Sequence, residues 1–104
     1  KGKAELELIS AQTMQSLQIA VESRETGSVK SANAVRVLEQ SVDQLEEEMR
    51  EKHIRRLSKG KCEPESGVIF LDIISNLERI SDHAVNIADY VKAESEAGIP
   101  AIRI

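Results

Sequence analysis

An up-down-up antiparallel three-helix bundle, all-α, is the fold the sequence predicts, and three observations point to it. Apolar residues recur at alternating spacings of three and four along three long segments. Glycine and proline interrupt the chain at only three places, which leaves room for long helices and short connections. No stretch alternates apolar and polar residues with period two for long enough to make a strand.

The first segment, residues 3–25, carries Leu6, Ile9, Thr13, Leu17 and Ala20 at helical spacing, with Met14 and Val21 beside them. It closes at Gly27, whose freedom suits the left-handed residue after a helix, and Ser28 is placed to cap the next one. The second segment, residues 29–57, repeats Val35, Leu38, Val42, Leu45 and Met49. Gly60 stops it, and Pro64 opens the third in the first-turn position that proline favours. That third segment, residues 64–94, runs through Phe70, Ile73, Leu77, Ile80, Ala84, Ile87 and Val91. Gly98 and Pro100 then end the regular part, so residues 1–97 are read as one domain and 98–104 as a tail. Short loops make neighbouring helices antiparallel, and at about 1.5 Å per residue the longer two would reach roughly 45 Å, a thin rod.

Composition narrows the function. With 14 basic and 18 acidic residues among 104, the net charge is −4, which does not supply the positive field that nucleic-acid phosphates need. Phe70 and Tyr90 are the only aromatics, too few for base stacking. A lone Cys62 permits no internal disulfide and no cysteine zinc cluster, which fits a reducing compartment. The longest apolar run, residues 68–71, cannot span a bilayer. Neither His53 nor His83 follows an acid by three residues, as a di-iron oxidase bundle would want, and no phosphate loop or nucleophile frame is present. The chain is therefore read as a non-enzyme, and its glutamates as too exposed to be strongly shifted.

Its acids are informative through register. Glu39 and Asp43, like Glu78 and Asp82, are four apart and share a helix face, but so acidic a chain would show about three such pairs by random placement and shows four. Pairing the second and third helices as an antiparallel hairpin matches Val35 with Ile87, Leu38 with Ala84, Val42 with Ile80, Leu45 with Leu77 and Met49 with Ile73, residue numbers that always total 122. The same register sets Glu39 beside Asp82 and Asp43 beside Glu78. Where the handedness turns both flanks into one groove, four carboxylates converge, and like charges so close call for a cation. One reading is a metal ion held by hard oxygen ligands, which suits iron, manganese, magnesium or calcium. The other is a solvated acidic face neutralised by Arg36 and Arg50.

Other residues keep simpler readings. His53 falls near the centre of its helix's apolar stripe and is expected at the core edge, whereas His83 and Tyr90 are expected on the surface. Arg55, Arg56, Lys59 and Lys61 surround the end of the second helix. They either complement its dipole or meet anionic headgroups or an acidic partner. Val37, Ile54, Val68, Ile69 and Leu71 lie off the stripes and would leave apolar surface on a lone bundle, which points to self-association.

The run Leu77-Glu78-Arg79-Ile80-Ser81-Asp82-His83-Ala84-Val85-Asn86-Ile87-Ala88 resembles the signature helix of PhoU-type phosphate-uptake regulators. Residues 38–45 are similar to the matching acidic element of the preceding helix. Residues 51–57 followed by Pro64-Glu65-Ser66-Gly67 resemble the PhoU-like region at the C-terminus of bacterial sodium/phosphate cotransporter family proteins. The resemblance implies a cytosolic helical regulatory module at the cytoplasmic face of the inner membrane, whose partner is a phosphate transporter membrane domain. It also implies that Glu39, Asp43, Glu78 and Asp82 are metal ligands. The regulators carry two three-helix units and this chain one, so a homodimer or the rest of a longer chain is expected to supply the second. A metal-independent structural or protein-interaction bundle is the alternative.

Overall fold

The computed structural model describes residues 2–61 and 63–99, which excludes Cys62 and all of the tail beyond Ile99. Three helices form: α1 (Gly2–Thr26), α2 (Val29–Ser58) and α3 (Pro64–Glu96). They pack together as an up-down-up bundle measuring 56 × 20 × 16 Å, with no strand among the described residues. The turns fall where the capping signals put them. Gly27 and Gly60 take φ of 71° and 67°, conformations that a side chain would strain. Ser28 accepts a hydrogen bond from the Ser31 amide at 3.1 Å, which satisfies one of the free donors at the start of α2.

Each helix buries a seam of alternating three and four spacing, but not quite the seam that its largest apolar residues suggest. In α1 it is Ile9, Thr13, Ser16, Ala20 and Ser23, while Met14 and Val21 are exposed and Leu17 half-buried. In α3 it is Gly67, Phe70, Ile74, Ser81, Ala84, Ala88 and Val91. Ile73 is 38 % exposed, and Ile80 and Ile87 are half-buried. The buried seams therefore differ from the predicted ones, and across α2–α3 His53 stacks on Phe70. The physical reason is size. Where three helices meet, the centre admits small side chains such as Ala, Ser and Gly, while Leu and Ile reach in from the edges.

The core has two halves. Ile9, Val42, Met49, Phe70 and Ile74 fill the half next to the α2–α3 turn. Ala20, Ala32, Val35, Ala84, Ala88 and Val91 fill the half next to the α1–α2 turn. Between them in chain order come Thr13 and Ser16 of α1 and Ser81 of α3, fully buried, with hydroxyls that have no hydrogen-bond partner in the protein. On α2 the residue between Val35 and Val42 at seam spacing is Glu39. Hence the polar waist of the bundle opens onto the acidic residues.

Candidate metal centre

Local helix geometry places the acids. On α3, Ser81 points into the core, so Asp82, about 100° further round, stands on the flank of the seam. On α2, Val42 is buried and Asp43 takes the equivalent flank position, with Glu39 one turn before it. The structure brings Glu39, Asp43 and Asp82 together: each offers a carboxylate oxygen, and these atoms all lie within 4.8 Å of one another. Glu39 and Asp43 are half-buried and Asp82 is exposed. Glu78 lies further along the same groove, where its hydrogen-bond partner is Glu46 rather than Asp43.

The neighbouring rungs of this ladder give the arrangement its meaning. Seven residues from Asp43, at the same helical position, come Arg36 on one side and Arg50 on the other. Arg36 donates to both oxygens of Asp89 at 3.1 and 3.2 Å. Arg50 donates to the Ser75 hydroxyl at 3.0 Å and is paired with Glu46 on its own helix. Asp89 and Ser75 stand seven residues either side of Asp82. Two rungs of complementary partners thus enclose one rung at which aspartate meets aspartate. Both arginines proposed as neutralisers are engaged elsewhere, though the charge of Arg36 is still felt at Glu39.

A family model described as PhoU, the PhoU domain, matches residues 6–91, most of the chain. The chain belongs to the PhoU domain family. No curated protein and no solved structure matched it.

Electrostatics within this PhoU domain follow from the crowding. Burial, a hydrogen bond with Asp43 and the charges of Asp43 and Asp82 raise Glu39 above the usual carboxylate range. The hydrogen bond with Glu46, burial, and the charges of Glu46, Asp43 and Asp82 push Glu78 up to about 7. The expectation that these glutamates are too exposed to shift is therefore corrected: the neighbours matter as much as the burial. Sequence reading also passed over Glu46, only 8 % exposed. Its position on the α2 seam, three residues before Met49 and four after Val42, was the available signal.

The remaining residues fall into place. His53 is in the core at 3 % exposure, and His83 and Tyr90 are on the surface. Val37, Ile54, Val68 and Ile69 are exposed, whereas Leu71 is half-buried against the large-residue half of the core. No helix among the described residues is long and apolar enough to cross a membrane.

Proposed function

We propose that this PhoU domain is a non-catalytic regulator of phosphate transport that binds a divalent or ferric ion at Glu39, Asp43 and Asp82, with Glu78 next along the groove. The observation that carries the metal reading is the like-charged rung between two arginine rungs. Three carboxylate oxygens within 4.8 Å of one another suit a cation whose metal–oxygen bonds are about 2.0–2.6 Å long. Hard oxygen donors favour iron, manganese, magnesium or calcium. A bound ion would supply positive charge and tie α2 to α3 across the waist, so that occupancy alters the stiffness of the bundle. The regulatory reading is supported by the family match, and the resemblance to sodium/phosphate cotransporter tails supports a position at the cytoplasmic face of the inner membrane beside a transporter. Exposed Val68 and Ile69 support a homodimer.

Melting the chelated protein with and without each ion tests the site. An ion that binds only the folded state at a hundredfold excess over its Kd adds about 2.7 kcal/mol. Asp43→Asn with Asp82→Asn should abolish the shift. Asp43→Arg should complete the ladder, stabilising the metal-free protein while removing its response to metal. If no ion moves the midpoint, the metal reading fails. Labelled phosphate uptake by cells carrying the chain, or its double asparagine variant, tests the regulatory reading: unchanged uptake in both would leave a metal-independent interaction bundle. That second reading is favoured by exposed Val37, Ile54, Val68 and Ile69.

A further inference from the structure

The chain is acidic overall, yet one end of the bundle is basic. A cavity of about 970 Å³ opens there between the last turns of α2 and the first turns of α1 and α3. Lys52, Arg55, Arg56, Lys59 and Lys61 line it, against a single carboxylate, Glu5. Arg56 holds that carboxylate at 3.1 Å. The other four cations form no ion pair among the described residues. Complementing the dipole of α2 accounts for charge in its last turn, but Lys59 and Lys61 lie beyond the helix and share the cavity wall.

Two further features border this space. Glu63, the N-cap of α3, makes no side-chain capping bond, and Pro64 follows it, so the first-turn amides of Glu65 and Ser66 lack an intrahelical acceptor. Ser66 is part of the cavity wall. Independently, His53 forms part of the lining although it is 97 % buried, and its Nε2 has no hydrogen-bond partner in the protein. That nitrogen is turned to Gly67 of α3 rather than to the opening, so it is not a contact for a ligand there. Gly67 makes the approach of that ring to α3 feasible: a Cβ there would stand 2.6 Å from Nε2.

We propose that this cavity binds a phosphate-class dianion. Clustered lysine and arginine donors and free amides at a helix start together match a tetrahedral, multiply charged acceptor. The opening leaves room beside a single phosphate, so the site admits a larger phosphorylated anion anchored by its terminal phosphate. That terminal phosphate belongs either to a soluble compound or to a phosphomonoester lipid headgroup. The cavity is separate from the acidic groove, and its occupancy does not depend on the metal reading.

Calorimetric titration of the full chain in chelator, with sodium pyrophosphate as the soluble probe and sodium sulfate at equal ionic strength as the control, tests the proposal. Vesicles of phosphatidylcholine with and without phosphatidic acid form the lipid arm. Saturable pyrophosphate binding, weakened roughly tenfold or more in Lys59→Gln with Lys61→Gln, supports a soluble ligand. Binding confined to vesicles containing phosphatidic acid, and lost in the same variant, supports the headgroup. Both lysines are exposed, so the variant should melt as the parent does. No binding in either arm, equal binding of sulfate or an unaffected variant overturns the proposal.

Discussion

The two halves of the core reach the same end by different means. Beside the α2–α3 turn, Phe70, Met49, Ile74 and Ile9 are large, and stability comes from the apolar area they bury. Phe70 stacks on His53 with ring centroids 4.7 Å apart and lies under the Arg56 guanidinium at 5.6 Å. Beside the α1–α2 turn, four of the six buried residues are alanine. Each alanine buries little, but it lets helix backbones approach closely, and side chains outside the core clamp them: Arg24 donates to both oxygens of Glu94 at 2.6 and 2.7 Å, and Arg36 pairs with Asp89. Small residues set distance and large ones set energy. The acidic rung sits at the junction, where neither kind of packing dominates.

Four substitutions break or sharpen this contrast. Phe70→Ala should be the most damaging, at about 3–5 kcal/mol, because it removes the largest buried side chain of the large-residue half and leaves a cavity. Denaturant unfolding measures the loss, and a value below about 1 kcal/mol would mean that the half is not organised around this ring. Ala88→Leu probes the opposite failure: the close-packed half has no room for the added carbons, and overpacking should cost about 1–3 kcal/mol. If the leucine is neutral, the helices are looser there than their alanines suggest. Ser81→Ala, at the waist between them, removes a buried hydroxyl that has no partner and should stabilise the protein by about 1 kcal/mol, seen as a higher melting midpoint.

The fourth concerns pH. Glu78 rises from the usual 4.5 to about 7 in the folded protein, so between those values the folded state binds more protons than the unfolded one. Stability of the metal-free domain should therefore fall as pH rises from about 4.5 through 7. Glu78→Gln should flatten that slope when melting midpoints are compared across the window, and an unchanged slope would place the burden on Glu39 or elsewhere.

Much of this was legible in advance, for identifiable reasons. Gly27, Ser28, Gly60 and Pro64 act within a turn of their own positions, and the helix ends followed them closely. Glu39, Asp43 and Asp82 came together because the antiparallel pairing of α2 and α3 turns their flanks into one groove. Glu78 took a different partner, Glu46 instead of Asp43, because Glu46 lies buried on the α2 seam itself. Reading the seams from large apolar residues missed Ser16, Ser23, Glu46 and Ser81, because a hydrophobicity pattern gives no weight to a small or polar residue at the centre of a crowded seam.

Helix bounds, the antiparallel hairpin and the acidity of one flank are properties of the linear chain, since capping, proline geometry and periodic burial are local. Which residue occupies the exact centre of the bundle is not local: it depends on how closely three backbones can approach, and that is settled only when all three pack. Pairing of Arg36 with Asp89 and of Arg50 with Ser75, and with it the isolation of Asp43 against Asp82, belongs to that second class. So does the cavity at the basic end, where the start of α1 meets the α2–α3 turn about fifty positions further along the chain.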